Sequence, residues 1–348
     1  MEEVPELVSV PEPKSIPVII ITGFLGAGKS TLIRNLLSEK HGKRIAVIMN
    51  EIGPSSGVDK AILYDKEQQL SEEWLEIENG CLCCTAKNDV FLAIESLVIR
   101  RPDVDLIVIE TSGAADPSAL VQKLWVDEAL QSKLYFDGCI CVYDPVLTLG
   151  LSKNLDDYYQ DAARQIALAD LIIVNKAEDD TDPEATRSVL TLINPTAKIA
   201  HTVYSNIKLE KLLNVGHYRG TDAESISALL QRFDHIDAPN HMLSTSVRSF
   251  TLRRTSLESL DIFEKWLYTL LWERVAGSQI LNPADSLLRI KGLLSIRPGQ
   301  TIALQAVRNI YDLDEIHHTQ RSESCLIFIG QFSKESEESV TSSFYSLP

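Results

Sequence analysis

The chain has 348 residues, 45% hydrophobic and 24% charged, an ordinary globular composition with room for one large domain and a smaller one. A net charge of −16, with no Lys/Arg run longer than a pair, argues against a nucleic-acid partner, which needs a concentrated positive surface. No apolar stretch reaches the roughly 18 residues of a membrane span, and the acidic start Met1-Glu2-Glu3-Val4-Pro5 is not a signal peptide.

Taken in order, residues 1–15 carry three prolines and little periodicity, so a mobile tail is expected. Within it Val4–Val10 places Leu7, Val8 and Val10 where there is no core to join, the pattern of an extended peptide that docks on a partner. From Ile16 to about Tyr204 strand and helix patterns alternate. Strands are expected at Val18–Thr22, Arg44–Asn50, Leu75–Glu78, Asp105–Glu110, Gly138–Tyr143, Leu171–Asn175 and Ile199–Tyr204. Such alternation predicts an α/β fold, a mostly parallel sheet with helices on both faces, and places ligands beyond the strand C-termini.

The first strand runs into Gly23-x4-Gly28-Lys29-Ser30, with Gly26, Ala27 and Thr31 completing the turn into a helix. This is the phosphate-binding loop pattern. Glycines let backbone N–H groups turn inward around phosphate oxygens, and the helix N-terminus adds partial positive charge. Lys29 then supplies a full charge to the β- and γ-phosphates, and the Ser30 hydroxyl ligates Mg²⁺. After the fourth expected strand, Glu110 can hold Mg²⁺ through water and Gly113 can offer its N–H to the γ-phosphate. Asn175-Lys176-Ala177-Glu178 is similar to the Asn-Lys-x-Asp motif of GTPases, whose acidic group accepts two hydrogen bonds that only guanine offers. GTP is therefore expected over ATP. Val203-Tyr204-Ser205 is placed to complete the base pocket.

Six cysteines (81, 83, 84, 139, 141 and 325) make no disulfide framework for a chain of this size and fit a reducing cytoplasm or nucleus. Cys139 and Cys141 share one face of an expected strand and read as small buried thiols. Cys81, Cys83 and Cys84 are different, three thiols in four positions just before a helix. Helix starts lower thiol pKa values, and thiolates select Zn²⁺ or Cu(I). Since Zn²⁺ takes four ligands, three local ones describe an exchangeable site rather than a closed structural one. Asn50-Glu51-Ile52-Gly53 follows the second strand, where Glu51 can sense Mg²⁺ or act as a fourth zinc ligand.

The remainder divides into a polar linker (216–246) with one short helix at Glu224–Phe233, a small α+β domain (247–332) and a Ser/Glu-rich tail (333–348) expected to be disordered. The small domain has an apolar helix around Phe263, Trp266 and Leu270, with strands at Ser249–Leu252, Leu287–Ser295, Thr301–Val307 and Leu326–Gly330.

Taken together, the phosphate loop, Asn50–Gly53, Gly80–Cys84, Glu110–Pro117 and Asn175–Glu178 occur in the order of the CobW-type GTPases, which this chain resembles over nearly its whole length. Arg289–Gly292 resembles part of that family's C-terminal domain. Within the family, the stretch from Glu72 to Cys84 is similar to the eukaryotic zinc-regulated GTPase metalloprotein activators. The resemblance implies Zn²⁺ on Cys81, Cys83 and Cys84, and GTP·Mg²⁺ turnover that drives zinc delivery to methionine aminopeptidase type 1. It also implies docking through a Cys-Pro-Glu-Leu-Val-Pro-Ile motif. Here Pro5, Glu6, Leu7 and Val8 match that motif, whereas its first Cys and second Pro are replaced by Val4 and Ser9. Glu178 and Pro54 are further departures from the family pattern. Three other readings remain at this level: a GTP-binding metal buffer or sensor, a P-loop kinase or ATPase, and a cobalt-handling chaperone.

Overall fold

The computed structural model describes residues 15–50, 60–64, 89–113, 115–126, 134–148, 151, 157–215, 247–297, 299–316 and 321–348. In the first domain the strands are β1 (Ile16–Gly23), β2 (Ile45–Asn50), β3 (Lys60–Tyr64), β4 (Leu106–Thr111), β5 (Leu134–Tyr143), β6 (Leu171–Val174) and β7 (Lys198–His201). They form one sheet in the order β3-β2-β4-β1-β5-β6-β7, parallel throughout except for the edge pair β2–β3.

Burial on both sides explains why the central strands read as continuous apolar runs. In β1, Ile19 and Ile21 join Leu32, Ile33 and Leu36 of α1 (Lys29–Ser38) on one face. Val18 and Ile20 point the other way, toward α2 (Asp89–Arg100) and α3 (Ser118–Val126). On that second face lie also α4 (Asp157–Leu168) and α5 (Pro183–Ile193).

The second domain begins with β8 (Arg248–Thr255) and α6 (Leu260–Tyr268), which continues through a π-helical turn at Thr269–Glu273. A two-stranded ribbon, β9 (Val275–Ala276) and β10 (Gln279–Ile280), precedes β11 (Ser286–Ile296), β12 (Gln300–Val307), β13 (Ile310–Glu315) and β14 (Glu323–Gln331). Its antiparallel sheet has the order β13-β12-β11-β14-β8. One face sets Leu288, Ile327 and Ile329 in the same cluster as Ile166 and Leu190 of the first domain. The other sets Ile290, Leu326 and Phe328 against Phe263, Trp266 and Leu267 of α6.

Three expectations are corrected. Residues 334–345 are not disordered but form α7 (Lys334–Tyr345), capped by Ser333 and anchored by buried Val340 and Phe344. The strand expected through Tyr204 stops at His201: Thr202 N–H still donates to Val174 O at the end of β6, but Tyr204 and Ser205 then take left-handed backbone (φ 52° and 53°), which no strand continues. Edge strands β3 and β13 were not anticipated; β13 is half-exposed and carries Asp312, Asp314 and Glu315, which mask the apolar alternation. The expected strand at Leu75–Glu78 and the helix at Glu224–Phe233 lie outside the described residues. Among the described residues no helix is long and apolar enough to cross a membrane.

Candidate functional site: a phosphate loop on the strand rim

The turn after β1 is built by backbone geometry that only glycine takes without strain. Gly23, Gly26 and Gly28 have φ of 138°, 75° and 112°. A Cβ on Gly23 would sit 2.2 Å from Val142 O, and one on Gly28 would sit 2.3 Å from Asn175 Nδ2. Lys29, the first residue of α1, is buried and donates from Nζ to Gly23 O (2.7 Å) and Phe24 O (3.2 Å), so its charge lies inside the loop. Burial pushes the Lys29 ammonium below its ordinary range, and the Glu110 carboxylate pulls it back up. Ser30 Oγ donates to Glu110 Oε1 at 3.1 Å. A hydroxyl and a carboxylate in contact beside a glycine cradle are the donor set for a hard divalent cation with phosphate. The site thus fits Mg²⁺ and a nucleotide triphosphate.

Gly113 belongs to the same rim. A Cβ there would meet Leu25 N and Leu25 Cγ at 2.7 Å, so its backbone lies directly against the phosphate loop. Gln165, on α4, donates to Gly113 O (3.0 Å) and Ala115 O (3.2 Å). Behind them Thr111 Oγ1 donates to Thr22 Oγ1 across the β1–β4 pair (3.0 Å).

At the end of β6, Asn175 ties the nucleotide-facing loops together. Its Nδ2 donates to Ala27 O (2.8 Å), and its Oδ1 accepts from Ser205 N–H (2.7 Å). Ser205 Oγ in turn donates to Gly28 O (3.2 Å), and Asn35 Nδ2 of α1 donates to Tyr204 O (2.7 Å). Tyr204 and Ser205 both hold left-handed backbone (φ 52° and 53°), and these hydrogen bonds keep them there. The Tyr204 ring stays 75% exposed, and Lys176, also left-handed at φ 56°, pairs with Asp144 at 2.5 Å. Glu178 sits exposed on the short turn Ala177–Asp179.

Sequence reasoning had brought Gly23, Gly26, Ala27, Gly28, Lys29, Ser30, Thr31, Glu110, Gly113, Asn175, Lys176 and Glu178 to one rim, and the structure draws them there from the ends of β1, β4 and β6. It missed Asn35, Asp144 and Gln165, whose polar side chains give no motif and acquire meaning only from what they hold. Cys81, Cys83, Cys84 and Glu51, like Pro5, Glu6, Leu7 and Val8, lie outside the described residues. Cys139 and Cys141 are buried thiols as expected, Cys325 is buried too, none of the three is in a disulfide, and burial pushes Cys141 up to about 12. Neutral at ordinary pH, that thiol is a core residue and not a metal ligand. Among the described residues no group of three or more His, Cys, Asp or Glu side chains is arranged to hold a metal ion.

Residues 17–201 match the family described as CobW/HypB/UreG, nucleotide-binding domain, and residues 247–346 match the cobalamin synthesis protein cobW C-terminal domain. The chain belongs to the CobW-type GTPase family. This CobW-type chain is 34% identical to zinc-regulated GTPase metalloprotein activator 1 of Saccharomyces cerevisiae, covering 94% of this chain and 83% of that protein. The protein of the same name from Schizosaccharomyces pombe is 31% identical over 88% of this chain and 79% of its own length. Among solved structures, the Zn(II)-bound YjiA GTPase from Escherichia coli superposes with a TM-score of 0.68, covering 96% of this chain and 99% of that one. Identity to YjiA is 25% in the structural superposition and 31% in the sequence alignment; the latter spans 90% of this chain. The match to a CobW C-terminal domain reaches across α7, in keeping with an ordered rather than a disordered end.

Proposed function

We propose that this chain is a GTP-dependent zinc chaperone, loading Zn²⁺ on Cys81, Cys83 and Cys84 and releasing it to a client metalloenzyme under control of GTP hydrolysis. The observation that carries the reading is the Ser30–Glu110 contact of 3.1 Å beside a glycine cradle. It stands in a chain similar along most of its length to proteins named as zinc-regulated activators and zinc chaperones. Lys29 and the loop N–H groups hold the phosphates, and Ser30 and Glu110 are the residues that would hold Mg²⁺, which would supply charge neutralisation to phosphoryl transfer. Asn175 holds the loop that carries Lys176 and Glu178 to the guanine edge, with Tyr204 and Ser205 closing the pocket.

For the cargo, three thiolates with Glu51 or water as a fourth ligand suit Zn²⁺ and leave the site open for exchange. Support comes from position: α2 opens at Asp89, shortly after Cys84, and buries its apolar side in the same core as β2 and β4. A tenfold change in metal affinity between nucleotide states requires only about 1.4 kcal/mol, within reach of ordering one loop. The client proposed is methionine aminopeptidase type 1, met through Pro5, Glu6, Leu7 and Val8, and the place of action is the cytoplasm.

Two measurements test this. Replacing Cys81, Cys83 and Cys84 together by Ser is expected to weaken zinc binding at least 100-fold and to abolish zinc-stimulated GTP turnover; unchanged affinity removes the metal site from these residues. Zinc-loaded chain with GTP is expected to restore metal-free methionine aminopeptidase type 1 faster than zinc-loaded chain with GDP. Equal recovery in both nucleotide states reduces the protein to a metal buffer.

A further inference from the structure

The loop that follows β4 is gripped from the second domain. Arg308 stands in the two-residue turn between β12 and β13, where Val307 pairs with Ile310. Its guanidinium donates from Nη2 to Asp116 Oδ2 and from Nε to Ser118 Oγ, each at 2.6 Å. The turn itself is pinned by Gln122 of α3, whose Nε2 donates to Asn309 Oδ1 (2.8 Å) and Val307 O (3.3 Å). Asp116 and Ser118 are joined as well, Ser118 N–H donating to Asp116 Oδ1 at 2.9 Å.

Two features set this clamp apart from ordinary interface contacts. First, Arg308 has φ of 54°, in the first central position of a tight hairpin, where glycine or asparagine is the low-strain choice. The tolerant residue, Asn309, stands second. Arginine is held in left-handed backbone here while its guanidinium reaches Asp116, and strain of this kind persists where surrounding contacts enforce it. Second, the clamped residues sit just beyond Gly113, whose backbone abuts Leu25 of the phosphate loop and whose carbonyl is held by Gln165. Leu25, Gly113, Gln165, Ala115, Asp116 and Arg308 therefore link the phosphate loop to the second domain, Gln165 bridging the Gly113 and Ala115 carbonyls.

We propose that Arg308 is a positioning residue for GTP hydrolysis: by holding Asp116 and Ser118 from the second domain, it fixes where Gly113 stands against the γ-phosphate. The inference rests on the reading of this rim as a GTP hydrolysis site. It goes beyond that reading by making the second domain part of the hydrolytic machinery, so that whatever binds that domain is felt at the phosphate, and the reverse.

The test uses the full chain and steady-state GTP turnover. Arg308→Ala and Asp116→Asn are each expected to lower kcat about tenfold and leave KM for GTP within twofold. The double variant is expected to be no slower than either single one, and Arg308→Lys to regain most of the lost rate. Arg308→Gly separates geometry from folding, because glycine suits a φ of 54° and keeps the hairpin; it is expected to stay folded by thermal melting yet remain slow. Wild-type rates in the alanine or glycine variant, losses confined to KM, or additive losses in the double variant would each overturn the proposal. A wild-type chain without GTP turnover fails at the earlier step, the assignment of the rim itself.

Discussion

Gly28 shows how little freedom the nucleotide site leaves to a single residue. Its φ of 112° is unfavourable for any side chain, and the atom a Cβ would strike, Asn175 Nδ2, is already committed to Ala27 O. The neighbour cannot swing aside without breaking the tie to Ser205 as well. Gly28→Ala is therefore expected to weaken GTP binding at least tenfold, about 1.4 kcal/mol, measured by titration of a fluorescent GTP analogue. Retained affinity would mean that Asn175 does not hold the loop. At this scale the sequence was highly legible, because phosphate binding uses consecutive backbone N–H groups and one adjacent lysine, all local in the chain. Tyr204 and Ser205 were legible only as the end of an expected strand, placed to complete the base pocket; their left-handed backbone exists because Asn35 and Asn175 impose it from elsewhere.

Among the elements, α7 carries the clearest lesson. Its sequence is dominated by Ser and Glu, and its apolar anchors Val340 and Phe344 are too sparse to announce an amphipathic helix. The helix forms because Phe344 fills a space beside Trp266 (ring centroids 5.5 Å apart), while Trp266 Nε1 donates to Ser343 Oγ at 3.0 Å. Phe344→Ala is expected to destabilise the chain by about 3–5 kcal/mol, read from denaturant unfolding. A loss below about 1 kcal/mol would show that the end of the chain is dispensable to the core. The central strands β1, β4 and β6 could be read directly, because burial on both faces demands an unbroken apolar run. Edge strands β3 and β13 could not, since an edge needs few apolar residues and tolerates charge, as Lys60 and Asp314 illustrate.

For the molecule as a whole, the two domains are locked by a buried charge cluster far apart in the chain. Asp170, at the foot of β6, accepts from Lys291 Nζ (2.6 Å), from Arg289, and from Cys139 N–H (3.0 Å). All three charged side chains are nearly inaccessible to solvent. Burial alone would raise the Asp170 carboxyl, but Arg289 and Lys291 overrule it and hold it at about 2. Removing that charge leaves two buried cations without their shared carboxylate, so Asp170→Asn is expected to cost about 3–5 kcal/mol at pH 7. Because the folded pKa is depressed, the stabilising contribution is complete above the unfolded value of about 3.9 and fades as pH falls toward 2. The gap in unfolding free energy between wild type and Asp170→Asn should accordingly narrow across that window. A gap unchanged down to pH 2 would count against the ion cluster as its source.

Read by itself, the chain determined its phosphate chemistry and its alternating α/β plan, because a glycine-lysine-serine turn and a doubly buried strand are each written in consecutive residues. Only the tertiary structure decided that Arg308 reaches Asp116, 192 residues away in the chain, and that Arg289 reaches Asp170 across 119. Isolated arginines are, as sequence, indistinguishable from solvated surface charge; what gives these two a role is the carboxylate that folding brings to each, with burial added at Arg289.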